Sequence, residues 1–231
     1  MILTVKDIAQ MYDLSCVRTN SDENDIKALA ESAKQYDCGH VSVMQCFIPE
    51  IKALLADRPD IKVVGNVSFP SGSDTTSVKV YQAGEMVAAG CDEIDMVMNV
   101  GKLRSGRFDE VEEDVRAVVA AAKGLPLKVI IEVSLLNEKE VEKACEICIN
   151  AGATYVKTGT GWMPNGTTIE DVKLIKSIVG DRIKIKASGG IRTLETLVEM
   201  YKLGVTRFGV NLRSGKAILD ECIAMGGQVK I

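Results

Sequence analysis

Two lysines stand at the ends of short apolar runs: Lys157 in Tyr155-Val-Lys-Thr-Gly-Thr-Gly161 and Lys186 in Lys184-Ile-Lys-Ala-Ser-Gly-Gly190. Each run reads as a strand that gives way to small and glycine residues. Burial of a lysine is costly unless something is gained by it. Brought into one pocket, the two amines repel, and one of them can stay neutral near physiological pH. A neutral amine attacks carbonyl carbon, so the pair points to Schiff-base chemistry. A carboxylate belongs with them. In Glu93-Ile-Asp-Met-Val-Met-Asn99, the residues Ile94, Met96 and Met98 share one face, which leaves Asp95, Val97 and Asn99 on the other. An acid held between two amines can relay protons. The competing reading is a buried salt-bridge cluster that only fixes the fold. Lys184 has the phase of Lys186 but lies nearer the strand start, and it reads as a bottom residue.

These side chains need a scaffold that brings separate strands to one point. Candidate strands are Leu14–Val17, Val41–Gln45, Lys62–Val67, Glu93–Asn99, Lys128–Val133, Tyr155–Thr158, Arg182–Ala187 and Arg207–Val210. Between them, Asp22–Cys38, Thr75–Gly90, Phe108–Lys123 and Asn137–Ala151 carry apolar residues at steps of three and four, the helical period. Asn137 with Glu140, and Thr168 with Asp171, have the spacing of N-terminal capping boxes, and Gly90, Gly152, Gly180 and Gly204 mark helix ends. Regular alternation with no linker predicts an α/β fold, a single (β/α)8 TIM barrel over residues 1–231 with a short N-terminal helix. The structural competitor, an open doubly wound sheet, would usually place a glycine-rich loop after its first strand, and Asp13–Asn20 has none. In a barrel, catalytic residues gather at the C-terminal ends of the strands. Gly189-Gly190, followed by Ile191-Arg192-Thr193, and Gly209 after the last strand would then offer backbone amides to a phosphate.

Composition narrows the alternatives. With 231 residues, 46% hydrophobic and 26% charged, the chain can fill a substantial core. A net charge of −4 without a basic block argues against nucleic acid. No stretch is long and apolar enough for a membrane span, and residues 1–10 lack the pattern of an export signal. A cytoplasmic location with reduced thiols is therefore expected for the seven cysteines. Cys145-Glu-Ile-Cys148 has a metal or redox spacing, but it shares a helical face with Val141 and Ala144 and reads as core packing. His40 is the one histidine, at the start of a strand, so a serine-type triad or a histidine-bound metal is not expected.

Four segments carry a resemblance: Glu93-Ile-Asp-Met-Val-Met-Asn-Val-Gly101, Lys128-Val-Ile-Ile-Glu132, Tyr155-Val-Lys-Thr-Gly-Thr-Gly161 and Lys186-Ala-Ser-Gly-Gly-Ile-Arg-Thr193. Together with Asp74-Thr-Thr76 and Ala89-Gly-Cys-Asp-Glu-Ile-Asp95, they are similar to the deoxyribose-phosphate aldolases, from about Asp13 to Gly215. The resemblance implies a class I aldolase that needs no metal or other cofactor. It would reversibly cleave 2-deoxyribose 5-phosphate, a small-molecule partner, to acetaldehyde and glyceraldehyde 3-phosphate, as a homodimer. It further implies that Lys157 forms the Schiff base, Lys186 lowers its pKa, and Asp95 moves protons with an ordered water. Thr160 would line the site beside Asp13 and Ser15, and Gly189, Gly190, Arg192, Gly209 and Asn211 would hold phosphate. The chain departs from the family in four places, one of them Val43-Met44-Gln45, where the family usually has Val-Asn-Pro. Asp13-Leu14-Ser15-Cys16 lacks the usual histidine, Trp162-Met163 follows the Lys157 motif, and Gly209-Val-Asn-Leu-Arg-Ser-Gly215 lacks the usual hydroxyls. A different sugar substrate, or a barrel that binds a metabolite without catalysis, are the other readings.

Overall fold

A computed structural model of the chain describes residues 2–231. The barrel strands are short and largely apolar, and most of their residues are buried, as expected where helices cover a parallel sheet. In chain order the elements are β1 (Ile2–Thr4), α1 (Val5–Gln10), β2 (Tyr12–Cys16), α2 (Glu23–Gln35), β3 (His40–Val43) and α3 (Ile48–Leu54). These are followed by β4 (Lys62–Val67), α4 (Thr76–Ala88), β5 (Glu93–Val97), α5 (Val100–Arg104), α6 (Phe108–Ala121) and β6 (Leu127–Ile130). The chain continues through α7 (Glu138–Asn150), β7 (Tyr155–Lys157), α8 (Ile169–Val179) and β8 (Lys184–Ser188). It ends with α9 (Leu194–Lys202), β9 (Val205–Asn211), α10 (Leu212–Ala224) and β10 (Gln228–Lys230). Strands β2 to β9 close in sequence order into a parallel barrel, the expected (β/α)8 fold. The short helix α1 precedes it, also as expected.

Caps set the helix starts. Asn137 accepts from the Glu140 amide while the Glu140 carboxylate takes the Asn137 amide, and Thr168 with Asp171 does the same. Gly90, Gly152, Gly180 and Gly204 all have positive φ and follow helices. Cys145 and Cys148 lie on the buried side of α7, where burial pushes the Cys145 thiol up to about 12. That is core packing, not thiolate chemistry.

Several boundaries differ from expectation for local reasons. Strand β6 stops at Ile130, not Val133, because Glu132 takes a left-handed backbone with φ 52° and a 3-10 turn begins at Val133. Strand β3 stops at Val43, because a 3-10 turn over Gln45–Phe47 leads directly into α3. Asn99 does not join the barrel interior; its side chain accepts from the Lys102 amide and caps α5. Gly209 lies inside β9, which runs on to Asn211, instead of following the strand. One sheet was not anticipated: β1 and β10 pair antiparallel, Leu3 opposite Val229.

Outside the barrel, Lys79 of α4 is wholly buried. Its ammonium donates to Asp114 Oδ2 of α6 at 2.6 Å and to the carbonyl of Val97 at 3.1 Å, and Thr76 donates to Asp114 Oδ1 at 2.8 Å. Burial pulls the Lys79 pKa below its ordinary value, with Asp114 working against that shift. The pair ties two helices to the C-terminal end of β5, two residues beyond Asp95. Removing one partner of such a pair strands a buried charge. Asp114→Ala should therefore lower stability by about 3–5 kcal/mol, read as a fall in the urea midpoint. The double replacement Lys79→Met with Asp114→Leu should recover most of it.

Candidate active site

Register brings the charged residues together. Asp95 of β5 lies beside Lys128 of β6, and Lys157 of β7 beside Lys186 of β8. Asp13 of β2 sits between His40 and Gly209 of the flanking strands. The result is a compact ionic network inside the barrel. Asp95 is wholly buried, and its Oδ2 accepts from Lys157 at 2.7 Å and from Lys186 at 2.7 Å. Its Oδ1 accepts from Lys128 at 3.0 Å. Lys186 also donates to Asp13 Oδ2, and Asp13 Oδ1 accepts from Arg207 at 2.8 Å. Below them Glu93 bridges Lys128 at 2.6 Å and Arg207 at 3.2 Å, with His40 Nε2 3.4 Å away.

Four basic side chains, Lys128, Lys157, Lys186 and Arg207, thus meet three carboxylates, Asp13, Glu93 and Asp95. The mismatch falls on Lys157, whose ion pair is to Asp95 alone, an acid it shares with two other lysines. Burial disfavours its ammonium first, Asp95 opposes that, and Lys186 repels it again, so its pKa is lowered to about 8. The acids respond in the opposite sense. Against the cost of burial, the surrounding cations hold Asp13 and Asp95 well below the usual carboxylate range, and Glu93 at about 2. Lys128, between three carboxylates that outweigh its burial, is pushed up. The cluster therefore contains one amine near neutrality and a firmly ionised acid beside it.

The loop after β7 is held from β6. The Glu132 carboxylate accepts from the Thr160 amide at 3.2 Å and from the Thr160 hydroxyl at 2.5 Å. Gly159 permits this approach, since a Cβ there would stand 2.9 Å from Glu132 Oε1. Thr160 is buried and lines a small chamber of about 20 Å³ with Lys157, Lys186, Asp13 and Ser15. That chamber adjoins an open cavity of about 320 Å³ which also touches Ser15 and Thr160. Gly189, Gly190, Arg192, Gly209 and Asn211, the expected anion-binding residues, all line the larger space, with Arg18 and Arg213 at its edge. Gly209 has no room for a side chain, because a Cβ would come within 2.5 Å of Ser188 Oγ and 3.4 Å of Lys186 Cε. Asn211 is exposed, and its side-chain oxygen accepts from the Ser214 amide to cap α10. Ser15 Oγ donates to the carbonyl of Val210 at 3.1 Å. Among the described residues, no group of three or more His, Cys, Asp or Glu is arranged to hold a metal ion.

The DeoC/LacD family aldolase description matches residues 8–218. The chain belongs to this family. A deoxyribose-phosphate aldolase of Sinorhizobium medicae is 40% identical over 225 residues, covering 97% of this chain and 91% of the relative. One from Carboxydothermus hydrogenoformans is 42% identical over 221 residues, covering 94% and 96%. Among solved structures, an aldolase named QR15 superposes with a TM-score of 0.88 at 37% identity, covering 95% of this chain and 97% of that one. A deoxyribose phosphate aldolase from Aeropyrum pernix, described as a tetramer, gives 0.87 at 26% identity and covers 96% and 93%.

The structure unites Lys157, Lys186 and Asp95 as the alternation of β5 required, and leaves Lys184 exposed at the bottom, its amine 5.5 Å from the Tyr155 ring centre. Sequence reasoning took Lys128 only as a strand start and missed it as the third amine on Asp95. Its alternation with Ile130, one strand over from Asp95, was the available signal. Glu132 and Arg207 were missed as site supports as well. Glu132 gave none, since an acid ending a strand run reads as solvated. Glu132→Ala should release the loop: amide exchange over residues 159–162, followed by mass spectrometry, should accelerate at least tenfold while β5 and β8 stay protected. Unchanged exchange there would show that Glu132 does not hold the loop.

Proposed function

We propose that Lys157 is the Schiff-base nucleophile of a class I aldolase that reversibly cleaves 2-deoxy-D-ribose 5-phosphate to acetaldehyde and D-glyceraldehyde 3-phosphate. The observation that carries this reading is the pair of lysine amines on one buried carboxylate oxygen, with the Lys157 pKa lowered to about 8. An amine so placed is partly neutral at physiological pH and remains nucleophilic. It adds to the C1 carbonyl, and loss of water gives an iminium. The C2–C3 bond then breaks, its electron pair flows into the iminium to form an enamine, and the C3 hydroxyl loses its proton as the three-carbon aldehyde departs. Protonation of the enamine at C2 and hydrolysis release acetaldehyde and the free amine. Asp95, linked to Lys186 and Lys128, is the group positioned to exchange these protons. Thr160 and Ser15 line the passage between chamber and cavity. Gly189, Gly190, Arg192, Gly209 and Asn211 form the wall where a phosphate would rest, with Arg213 able to add a charge-assisted contact.

The reading keeps the homodimer expected from the resemblance, which light scattering on the purified chain would check. A cytoplasmic location remains part of it, supported by seven free cysteines. Among the described residues no helix is long and apolar enough to cross a membrane.

Borohydride reduction in the presence of 2-deoxyribose 5-phosphate should leave an adduct on Lys157, located by peptide mapping, and Lys157→Ala should abolish both adduct and cleavage. An adduct formed equally well with the unphosphorylated sugar would move the substrate assignment away from phosphate esters. The pH dependence has a definite sign. Addition needs the neutral amine, so trapping should rise as pH increases through about 8. Lys186 lowers the Lys157 pKa by repulsion, and its removal favours the ammonium form. In Lys186→Met the rising limb should therefore shift to higher pH. A shift to lower pH would contradict this electrostatic assignment.

A further inference from the structure

Ser188 closes β8 two residues beyond Lys186, so its side chain follows the lysine into the barrel, one layer above it. The residue is 6% exposed, yet its hydroxyl makes no hydrogen bond among the described residues. Its backbone, by contrast, is tied on both sides. The Ser188 amide donates to Thr158 Oγ1 at 2.9 Å, and its carbonyl accepts from the Thr167 hydroxyl at 2.7 Å. Gly209 of β9 is its register partner. A Cβ at Gly209 would come within 2.5 Å of Ser188 Oγ, so the glycine leaves that hydroxyl uncovered.

Ser15, Val17, Thr160, Ser188 and Gly209 line both the chamber beside Lys157 and the larger cavity. A sugar imine on Lys157 whose phosphate rests against Gly189 and Gly190 passes between them. Three of these residues carry hydroxyls, and two have already given their protons away. Ser15 donates to the carbonyl of Val210 at 3.1 Å, and Thr160 donates to Glu132. Both can still accept, but Ser188 can donate and accept. Once a ligand fills the passage and expels water, a hydroxyl in this wall depends on the ligand for its hydrogen bond.

We propose that Ser188 binds the C4 hydroxyl of the sugar and thereby selects acceptor aldehydes with a hydroxyl next to the carbonyl. This rests on the Schiff-base reading of Lys157. Position along the carbon chain decides which hydroxyl is meant. C1 is bound to Lys157, and the C3 hydroxyl gives up its proton inside the chamber. C5 carries the phosphate into the larger cavity. The C4 hydroxyl lies between, at the passage that Ser188 lines. After cleavage this carbon is C2 of glyceraldehyde 3-phosphate. Thr158 and Thr167 hold the Ser188 backbone before substrate arrives, so little freedom is lost on binding. An aldehyde without the hydroxyl leaves Ser188 unpaired in a filled passage and is disfavoured.

The test joins acetaldehyde to two acceptors, glyceraldehyde 3-phosphate and 3-oxopropyl phosphate, the same aldehyde without its 2-hydroxyl. Both carry phosphate, so the ratio of their kcat/KM values isolates the hydroxyl, and any general loss of activity cancels. Wild type should favour glyceraldehyde 3-phosphate by about tenfold or more. Ser188→Ala should bring the ratio close to one, through loss on glyceraldehyde 3-phosphate. Ser188→Cys, similar in shape but a weak hydrogen-bonding group, should do the same and serves if the alanine variant fails to fold. An unchanged ratio in either folded variant would overturn the assignment, as would a wild type indifferent to the hydroxyl or inactive on both acceptors. Acetaldehyde with borohydride, run beside this, should mark Lys157 of the wild type. A mark there with any of those results would remove the role of Ser188 alone. No mark would remove the Schiff-base reading and the role of Ser188 with it.

Discussion

An ionised carboxylate with no access to water, Asp95, is the constraint on which the barrel interior depends. Left alone, such a charge would cost many kcal/mol, and it survives only where cations are fixed around it. Three lysines from three strands supply them, Lys128 on one oxygen and Lys157 with Lys186 on the other. The dependence is mutual, since no lysine here could stay charged without an acid. Asp13 and Glu93 extend the compensation to Lys186, Lys128 and Arg207. Lys157 receives the smallest share, a fraction of one acid, and it is the amine whose pKa falls. Reactivity in this site is thus what remains after the other cations are neutralised.

Such a cluster is poor evidence for stability, because a well-packed apolar interior would cost less to assemble. What holds the barrel is the continuous apolar layer between strands and helices, from Ile94 and Met96 of β5 and the adjoining Met98 to the inward faces of α6 and α7. That layer lets the interior carry charges. It also fixes register, and a slip of one residue in β5 would send Asp95 to the helices and Ile94 into the lysines. Lys79 and Asp114 secure the C-terminal end of the same strand from outside.

What could be read in the sequence follows from periodicity. Ile94, Met96 and Met98 betray an apolar face, so Asp95 must take the other, and the glycine-rich ends of β7 and β8 mark where their lysines emerge. Asn137 and Thr168 announce helix starts because a cap acts within four residues. The unread parts act at a distance or against local preference. Lys128 is a site residue only because β5 and β6 are neighbours in register. Glu132 breaks its strand with a left-handed backbone that non-glycine residues rarely adopt, and nothing in Lys128–Glu132 requires it. Asn99 and Asn211 have the phase of strand residues, but each spends its side chain on a helix cap. The β1–β10 pair joins segments from opposite ends of the chain, beyond the reach of any local pattern.

The backbone strain at Glu132 has a definite return. A left-handed residue two positions past the end of β6 aims its carboxylate across β7, where it captures the Thr160 amide and hydroxyl. Thr160 passes the restraint to the Trp162 amide, and the indole passes it to Val17 and Phe69. One connected path thus runs from the end of β6, over the strand that bears Lys157, to the walls that enclose its amine. The amine's chemistry is set by the ionic cluster below it, and the shape of its chamber by this chain of contacts above. The two meet at Lys157, Lys186 and Asp13, while Val17 and Phe69 belong to the wall alone, so that part of the wall can change while the charge balance that activates the lysine stays intact. A chain that departs from its family around Trp162 and Asn211 can for that reason retain Lys157, Lys186 and Asp95 in working order.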